Sequence, residues 1–533
     1  MTSVRVSANQ ASTGGGIYAF RSTIIAIGCI IDANSARYGG AVAMDRATLN
    51  ATKCVLRSNS AFVSGGAIFA DGISAVSQTD CTVISNYASY RGGAVYTFGG
   101  STVEATRCTL TQNSAADGGG AFYAAEDSAV AVIDCLVTSN SALRGGAVAA
   151  GDDSTVTATN CTMTANAGHG GGAVAAGDRS VVIATDCSLT FNSAQEGGAV
   201  FAVEQSIVTA THCRLISNSV SFWGGAVYAA GSTVVIADCT MTSNSALGGG
   251  ALYAGQESIV AVTECLMAFN YAPGGGAVAA RGVGSTITAT GCTMTSNSAL
   301  RGGALQVGGA SAVIATNCAL MSNTVSFWGG AVYAVGDSTV TATDCTMLFN
   351  SAMGGGAVAA GEDSIVVIAD CTMSSNLAYS LGGAVYATDQ PTVAMVGCAM
   401  ISNSVVGFGG AVAAEDASII TATDCTMTTN AAFWGGAVYA VGDSTIAATD
   451  CTMTSNSASS GGAAYVRQLQ HYSCTDLIAC GKSFHLAVAG SDLSNNRADN
   501  QAQFESGDQC AVHSSVSHLP VLTLPYSREA RYL

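Results

Sequence analysis

A repeat of 26 or 27 residues is the feature that most constrains how this chain folds. Its clearest marker is a cysteine that returns about once per repeat. The cysteines of this column are Cys29, Cys54, Cys81, Cys108, Cys135, Cys161, Cys187, Cys213, Cys239, Cys265, Cys292, Cys318, Cys345, Cys371, Cys398, Cys425 and Cys451. An asparagine follows each cysteine five positions later, and a Gly-Gly pair comes after it, as in Asn323 and Gly329-Gly330. So short a unit cannot bury an apolar face alone, which predicts that the units stack into a solenoid.

Within a repeat, apolar and hydroxyl residues alternate with a period of two, which is typical of a half-buried β-strand. For example, Val340, Ala342 and Cys345 are predicted to point inward and the threonines between them outward. Three short strand-like runs per repeat predict an all-β, single-stranded parallel β-helix solenoid of about 17–18 coils. A leucine-rich repeat has a compatible length. The Gly-Gly pair and the β-branched run are unfavourable for its helical segment, and the β-helix is therefore preferred.

The pattern divides the chain into three segments. Residues 1–13 are predicted to be an N-terminal lead-in, 14–463 the β-helix repeats, and 464–533 an insertion, a degenerate last coil and a C-terminal cap and tail. The degenerate coil is Ser491–Ala498, which keeps the repeat register with serine in place of cysteine. A cap would cover the strand edges at the open end of the core. A disulfide or an accidental metal site stays open in this last segment, at Cys474, Cys480, Cys510, His471, His485 and His513.

Charge and hydropathy exclude several classes of function. The 35 acidic and 18 basic residues give a formal net charge of −17, which repels nucleic acid and anionic lipid. Polar residues interrupt every apolar run before it reaches the length of a membrane-spanning helix, so no transmembrane helix is predicted. The first residues lack the succession of charged, apolar and small residues that marks a signal peptide. No signal peptide is therefore visible in the sequence.

The recurring columns are predicted to be structural, and no cofactor is predicted. The asparagines are expected to bond to one another and to turn backbone, the cysteines to be buried free thiols, and the glycines to allow tight turns. Acidic residues recur in two turn columns, which leaves adventitious calcium binding open. Arg107, Arg179 and His212 are among the residues that interrupt these columns. No continuous calcium site is therefore predicted.

The residue before the Gly-Gly pair varies most from repeat to repeat, and this position is named the variable column. Its variation predicts an exposed edge. All three tryptophans occur there, each after a phenylalanine. The candidate contact patch for a protein or glycan is Phe222, Trp223, Phe327, Trp328, Phe433 and Trp434. Two other interpretations stay open: the aromatic pairs fold over the adjacent turn and shield it, or they reflect duplication of a four-coil block.

The motif GGA[ILV], as in Gly224-Gly225-Ala226-Val227, recurs with an asparagine that follows a large apolar residue by three positions. This combination resembles the repeat of chlamydial polymorphic outer membrane proteins, whose motifs are GGA[ILV] and FxxN. The likeness covers residues 14 to about 463, although Met294 and Leu189 replace the phenylalanine. It implies a pectin-lyase-like right-handed β-helix that is adhesin-like and either surface-exposed or extracellular. A transporter barrel is not expected, since the remaining tail of about seventy residues is too short for one.

The sequence thus predicts a non-enzymatic protein that presents variable turns to a cell-surface protein or glycan. The main alternative is a purely structural spacer or cell-covering protein. Two lesser alternatives are a polysaccharide lyase or hydrolase built on a β-helix, and an ice-binding protein with threonine pairs such as Thr240 and Thr242 on a flat face. Catalytic motifs such as GxSxG and HExxH are absent, which favours a non-enzyme. The ligand and the oligomeric state are not predicted.

Overall fold

The computed structural model describes residues 1–467, 485–489, 491–498 and 506–507. The chain divides into two compact units, Met1–Ser298 (unit 1) and Ala299–Leu533 (unit 2). Every regular element in the described residues is a β-strand, and strands of successive coils pair in parallel. No helix in this part of the chain is long and apolar enough to cross a membrane. Each unit is therefore an all-β parallel solenoid, which confirms the predicted fold class.

Each coil of unit 1 contributes one strand to each of three sheets. The Gly-Gly sheet contains the strands that follow the glycine pairs: Ile17–Phe20, Val42–Asp45, Ile68–Asp71, Val95–Thr97, Phe122–Ala124, Val148–Ala150, Val174–Ala176, Val200–Ala202, Val227–Ala229, Leu252–Ala254 and Val278–Arg281. The long sheet contains the five-residue strands: Thr23–Ile27, Thr48–Thr52, Ala75–Thr79, Thr102–Thr106, Ala129–Ile133, Thr155–Thr159, Val181–Thr185, Ile207–Thr211, Thr233–Ala237, Ile259–Thr263 and Thr286–Thr290. The Cys sheet contains mainly the strands after the column cysteines: Arg5–Ser7, Ile30–Asp32, Val55–Arg57, Thr82–Ile84, Thr109–Thr111, Leu136–Thr138, Thr162–Thr164, Ser188–Thr190, Arg214–Ile216, Thr240–Thr242, Leu266–Ala268 and Thr293–Thr295.

Unit 2 repeats the same three sheets. Its Gly-Gly sheet contains Leu305–Gly308, Val332–Ala334, Val358–Ala360, Val385–Ala387, Val412–Ala414, Val438–Val441, Ala464–Arg467 and Ser506–Gly507. Its long sheet contains Ala312–Thr316, Thr339–Thr343, Ile365–Ala369, Thr392–Val396, Ile419–Thr423, Thr445–Thr449 and His485–Ala489. Its Cys sheet contains Ala319–Met321, Thr346–Leu348, Thr372–Ser374, Ala399–Ile401, Thr426–Thr428 and Thr452–Thr454.

Short strands that follow the column asparagine form a further set of pairings. In unit 1 they are Ser35–Tyr38, Ser60–Ser64, Tyr87–Ala88, Ser114–Ala115, Ser193–Glu196 and Ser219–Trp223. In unit 2 they are Thr324–Trp328, Ser351–Gly354, Leu377–Leu381, Ser404–Val405, Ser457–Ala458 and Arg497–Ala498. The strand Ser298–Arg301 contains the boundary between the units. The longer of these strands, such as Ser219–Trp223 and Thr324–Trp328, end at the variable column and position two of the three aromatic pairs, while the Phe433–Trp434 pair lies outside a strand.

The alternation of apolar and hydroxyl residues builds the core, as predicted. Along Thr339–Thr343 the side chains of Val340 and Ala342 are buried, while the threonines are only partly covered. Val340 pairs with Val366 of the next coil, so that each inward residue stacks on its equivalent. Contact between equivalent apolar side chains, about 4.8 Å apart along the solenoid, makes each core continuous within its unit.

The column asparagines are buried and hydrogen-bond from coil to coil. The Oδ1 atom of Asn376 accepts hydrogen bonds of 3.0 Å from both the backbone N–H and the side-chain amide of Asn350. The same Asn350 amide donates to the Leu320 carbonyl at 2.8 Å. Each asparagine thereby satisfies backbone groups that the turn leaves without a strand partner. The structural role predicted for this column is confirmed.

The Gly-Gly pair is required by the close approach of successive turns. Gly329 adopts the left-handed region, with φ of 67°, where a side chain is strained. Gly330 has an ordinary φ, but a Cβ atom there would lie 2.1 Å from the Gly356 carbonyl oxygen of the next coil. Both glycines are therefore fixed by the coil geometry, and they do not form a phosphate-binding loop.

The column cysteines are buried beside the asparagine column, and thiols such as Cys345 and Cys371 are free. The Cys345 thiol donates to the carbonyls of Ala315 and Thr343. Contact with the neighbouring thiol of Cys318, together with burial, raises the pKa of Cys345 to about 11. The thiol is therefore protonated at neutral pH and is a small packing group.

The ends of the solenoid differ in part from the predicted segments. Arg5–Ser7 pairs in register with Ile30–Asp32, so the predicted lead-in 1–13 already contributes a strand. Near the other end, the Cys451 N–H donates to the Ser491 hydroxyl at 3.0 Å, and Asn496 accepts from Asn456 as the column asparagines do. In the segment predicted as an insertion, Ala464–Arg467 and His485–Ala489 continue two of the sheets. Residues 468–484, most of the predicted cap and tail, Cys474, Cys480, Cys510, His471, His513 and the side chain of His485 lie outside the described residues.

Candidate functional site: the aromatic column and the turn recess

Many strands of the Gly-Gly sheet carry an aromatic residue at their second position, and these residues form the aromatic column. In unit 1, the rings of Phe201 and Tyr228 stack at 5.3 Å between centroids, and Tyr228 stacks on Tyr253 at 5.7 Å. In unit 2, Tyr439 stacks on Tyr465 at 5.7 Å. Parallel pairing in exact register places equivalent residues one above another, at a spacing that suits offset ring stacking.

The three tryptophans of the predicted contact patch pack onto this column. Ring centroids are 5.0 Å apart for Trp223 and Tyr253, 5.4 Å for Trp328 and Tyr386, and 5.5 Å for Trp434 and Tyr465. All three tryptophans are half-buried as a result. They follow the alternative interpretation made from the sequence, in which these rings fold over a neighbouring turn and shield it.

The phenylalanine of each pair behaves differently. Phe222 and Phe327 are each 43% exposed, and Phe433 is 52% exposed. The structure thus separates the six predicted contact residues into three outward-facing phenylalanines and three anchored tryptophans. The variable column as a whole is not the exposed edge that its variation suggested, because Ser64 and Leu381 in the same column are buried.

A glycine in the next coil makes room for the ring of Trp223 and for that of Trp328. A Cβ atom at Gly248 would lie 2.8 Å from the Trp223 ring, and one at Gly354 would lie 2.5 Å from the Trp328 ring. The variable column is therefore constrained from coil to coil. The sequence contained this information as a glycine one repeat after the tryptophan, but it becomes meaningful only once the coil register is known.

Trp328 differs from the other two tryptophans in what lies beneath it. The next coil carries Ala359 where the aromatic column usually has a ring, so Trp328 reaches across to Tyr386, two coils further on. A cavity of about 190 Å³, here named the turn recess, opens beside this gap. Three aromatic and three acidic residues line it: Trp328, Tyr333, Tyr386, Glu362, Asp389 and Asp416.

The polar side of the turn recess is ordered by hydrogen bonds. The Thr388 hydroxyl donates to Asp416 Oδ2 at 3.0 Å, and the Tyr386 hydroxyl donates to Oε2 of the adjacent Glu415 at 3.0 Å. Burial raises the pKa of Tyr386 and also that of Glu415 above their ordinary values. Tyr386 is therefore a protonated donor at neutral pH.

The charge around the turn recess is mainly negative, and the cation that contacts its lining is Arg301, whose guanidinium carbon lies 5.9 Å from the centroid of the Tyr333 ring. Between residues 302 and 466 the sequence contains no lysine, arginine or histidine. The acidic residues of the same stretch are Asp337, Asp344, Glu362, Asp363, Asp370, Asp389, Glu415, Asp416, Asp424, Asp443 and Asp450. The described coils of unit 2 thus create a negative potential that this stretch does not itself neutralise.

Unit 1 contains a comparable arrangement that is filled by its own arginine. The Arg91 guanidinium carbon lies 4.7 Å from the ring centroids of both Tyr90 and Tyr123. Arg91 Nε also pairs with Asp117 at 2.7 Å. Burial opposes the charge on Arg91, but the bond to Asp117 outweighs it and raises the pKa of Arg91. Aromatic rings and a carboxylate together hold a cation here.

The acidic turn columns of unit 1 are likewise neutralised from within. Arg107 pairs with Asp80 at 2.8 Å and Arg179 with Asp153 at 2.6 Å. Arg107 and Arg179, two of the residues that interrupt the predicted acidic columns, therefore serve as counter-ions to a carboxylate of the preceding coil. Among the residues that the structure describes, no group of three or more His, Cys, Asp or Glu side chains is arranged to hold a metal ion.

The outward face of the long sheet is a further feature that the sequence interpretation missed. In unit 1 it consists of threonine, alanine and branched apolar residues together with Asn50 and Ser77, and Glu104 is the single charged residue among the outward positions of the described strands. A shallow cavity of about 300 Å³ on this face is lined in part by Val76, Val103 and Val130. Asn50, Ser77, Thr102, Glu104, Thr155 and Thr157 also line this cavity and supply its polar groups.

The stacked parallel coils define the protein as a β-solenoid. A family model described as "Right handed beta helix region" matches residues 66–229, 146–320 and 303–476, which together cover more than half of the chain. The protein therefore belongs to the right-handed β-helix family, in agreement with the predicted handedness. No curated protein matches the sequence.

Proposed function

We propose that the protein is a non-enzymatic adhesin-like β-helix, located extracellularly or at a cell surface, that contacts a cell-surface protein or glycan through its aromatic pairs. The observation that supports this most is the exposure of Phe222, Phe327 and Phe433 beside tryptophans anchored on the aromatic column. An exposed ring on a fixed support offers a partner a flat apolar surface at little cost in conformational entropy.

The sequence adds two further supports. The GGA[ILV] repeats resemble those of chlamydial polymorphic outer membrane proteins, and this resemblance favours surface exposure and adhesion. The β-helix fold by itself does not define a function, since function depends on the residues placed on it. The absence of any basic residue between residues 302 and 466 argues against the lyase alternative there, because lyase chemistry on such a fold needs a basic residue beside a carboxylate cluster. Hydrolysis needs only paired carboxylates, and the cleavage assay below tests it.

The proposal is tested by binding of the purified chain to a glycan array and to a panel of cell surfaces. The informative variant replaces all three exposed phenylalanines of the pairs, Phe222→Ala, Phe327→Ala and Phe433→Ala. A matched control replaces Phe191, Phe269 and Phe349 by alanine. These three are 63% to 66% exposed but lie beside the asparagine column instead of the glycine pairs.

The expected result is binding by the parent and by the control triple variant, with a loss of at least about tenfold in affinity in the informative triple variant. Equal affinity of the two triple variants would contradict the assignment of the aromatic pairs. Absence of binding to any surface would favour the spacer or cell-covering alternative. A parallel assay with acidic polysaccharides and calcium tests the non-enzymatic assignment, since cleavage would overturn it, and measurement of thermal hysteresis tests ice binding.

A further inference from the structure

The turn recess of unit 2 is a cavity built from two kinds of side chain. Its aromatic wall comes from Trp328, Tyr333 and Tyr386, and its acidic wall from Glu362, Asp389 and Asp416. Ala359 creates the space by replacing one ring of the aromatic column. Its volume of about 190 Å³ is roughly six times the share of one water molecule in the liquid. The recess therefore holds a group of several heavy atoms.

The aromatic wall is fixed before any ligand arrives. Tyr386 is only 4% exposed, and its hydroxyl is held by Glu415. Trp328 is fixed by contact with Tyr386 and by the absence of a side chain at Gly354. Because Tyr333 is 9% exposed and Tyr386 only 4%, the accessible ring of this wall is mainly that of the half-buried Trp328, and its fixed position avoids reorganisation on binding. The negative potential of an aromatic face attracts a cation within about 6 Å of the ring.

The acidic wall adds long-range attraction to the same place. Glu362, Asp389 and Asp416 come from three successive coils, so their carboxylates follow the solenoid along one side of the recess. No basic residue occurs between residues 302 and 466. A ligand that carries a positive charge is therefore favoured both inside the recess and during its approach.

Unit 1 shows that the coil can hold a cation by these means. Arg91 lies over the rings of Tyr90 and Tyr123 while it pairs with Asp117. The chain supplies that cation itself. The turn recess of unit 2 is lined by three rings and three carboxylates. Arg301 lies over Tyr333 alone, 5.9 Å from its centroid, and the stretch 302–466 supplies no further arginine or lysine.

We propose that the turn recess binds the ammonium group of an organic cation, either a primary amine such as a lysine side chain or amino sugar, or a methylated amine such as choline. The aromatic wall distinguishes this ligand from a bare metal ion, because rings stabilise an alkylammonium and give a divalent ion no oxygen ligand. Such a site functions equally in an adhesin or in a spacer, so the inference goes beyond the proposed function.

Calorimetric titration of the full chain with choline tests the site directly. The control ligand is 3,3-dimethyl-1-butanol, which has the shape of choline without its charge. Butylammonium and glucosamine, compared with choline, show whether primary or methylated amines are preferred. Saturable binding of an ammonium ligand, at least about tenfold tighter than that of the uncharged alcohol, is the expected result. Equal binding of choline and the alcohol, or no saturable binding of any of the three amines, would overturn the proposal.

Matched variants tie the binding to the recess. Trp328→Leu removes a ring from the wall, whereas Trp434→Leu removes a tryptophan of the same unit that does not line the recess. Asp389→Asn and Asp363→Asn both change a turn residue with positive φ, where asparagine is well tolerated, and only Asp389 lines the recess. We expect about tenfold weaker binding of the preferred amine by W328L and D389N and no change in W434L and D363N.

Two results would replace this assignment with another. If D389N and D363N weaken binding equally, the attraction is a diffuse charge effect without a site. If calcium binds more tightly than every amine and W328L leaves that binding unchanged, the recess is a metal site made of carboxylates alone. Neither outcome depends on cell or glycan binding, so failure of this inference and failure of the adhesin proposal are distinguishable.

Discussion

Two turn regions of the molecule, one in each unit, are built on the same type of coil but differ in how their carboxylates are neutralised. In unit 1, Arg91 covers Tyr123 and pairs with Asp117. In unit 2, Trp328 covers the gap at Ala359, Arg301 lies over Tyr333 at 5.9 Å from its centroid, and no basic residue follows between residues 302 and 466. The backbone pairing is parallel and in register in both regions. Recognition properties can therefore change from coil to coil without a change in the scaffold.

The physical basis of this independence is the separation of inward and outward positions. Inward residues such as Val340 and Met347 stack on their equivalents, so nearly all of them are apolar. Outward and turn residues contact at most one or two neighbouring coils, and a cation, a ring or a glycine is accommodated there. The stability of each solenoid should thus depend on the columns common to both units, while ligand binding depends on the few turns that differ.

The first prediction concerns the scaffold, where the two units should respond alike. Asn350→Ala in unit 2 leaves the backbone N–H of Asn323 and the carbonyl of Leu320 without their partner inside the core. Asn192→Ala does the same in unit 1 to Asn166 and Met163. We expect each substitution to lower the free energy of unfolding by about 2–5 kcal/mol, measured by denaturant titration and by hydrogen exchange resolved along the chain.

A neighbouring substitution provides the reference for this effect. Ser351→Ala changes a half-buried residue next to Asn350 and should leave stability within about 0.5 kcal/mol of the parent. Hydrogen exchange should increase mainly in the coils around each altered asparagine, because each coil contacts only its neighbours. If only one of the two asparagine variants lost stability, the scaffolds of the two units would not be equivalent.

The second prediction converts the unit 1 turn into one that lacks its own cation. Arg91→Ala exposes part of Tyr123 and leaves Asp117 without its counter-ion. This loss matters because the side chains of Arg91 and Asp117 are only about one-fifth exposed. We expect a loss of about 1–3 kcal/mol in unfolding free energy. Millimolar ethylammonium or methylguanidinium should restore part of this stability by filling the vacated place, as seen in thermal denaturation.

The rescue has a specific control. Arg179→Ala removes an arginine whose side chain is 60% exposed and which pairs with Asp153 away from any ring. Its loss should cost at most about 1 kcal/mol, and neither cation should restore it. Equal rescue of both variants would mean that the added cations act on overall charge and not on an aromatic site.

The columns, the strands and most of the core could be predicted from sequence, because a period of 26 or 27 residues displays the same environment many times. Val340, Met347 and Asn350 each have an equivalent in nearly every coil, so their roles follow from repetition. The contact between Trp328 and Tyr386 could not be predicted in this way. It depends on how far a side chain reaches diagonally between coils and on an alanine at one position, neither of which is repeated.

The exceptions within the columns were visible but were not interpreted. Gln78 replaces alanine in an inward column between Ala51 and Ala105, and Gln306 occupies the aromatic column one coil before Tyr333. To predict the turn recess from the sequence, three facts had to be combined: a missing ring at Ala359, acidic residues in the turns, and the lack of a basic residue between residues 302 and 466. The predicted patch failed to distinguish the phenylalanines from the tryptophans because adjacent residues point in different directions at the end of a strand.

The third prediction uses these two glutamines. The side-chain amides of Gln78 and Gln306 are buried, and both polar atoms of each have no hydrogen-bond partner. Methionine has nearly the same size and removes the unpaired polar atoms. Gln78→Met in unit 1 and Gln306→Met in unit 2 should each raise the free energy of unfolding by about 1–2 kcal/mol. Destabilisation of either variant in denaturant titration would indicate that the amide has a buried partner such as ordered water.

The last and smallest predicted effect concerns two carboxyls, one in each unit. Lowering the pH should decrease the contribution of Asp153 to folding stability and increase that of Glu415. The hydrogen bond from Arg179 lowers the pKa of Asp153 below its reference value of 3.8, so its stabilising contribution is present above that pH and is lost as the pH falls. Burial raises the pKa of Glu415 above 4.5, so the folded state is favoured as this group takes up a proton.

Thermal denaturation of two variants between pH 3 and 7 measures this difference in sign. Asp153→Asn should be less stable than the parent near neutrality and approach it in acid, because protonation removes the same interaction. Glu415→Gln retains an acceptor for the Tyr386 hydroxyl and removes the buried charge. The Glu415→Gln variant should gain stability relative to the parent as the pH rises through the pKa of Glu415. Parallel pH profiles for the two variants would contradict the opposite pKa shifts of Asp153 and Glu415.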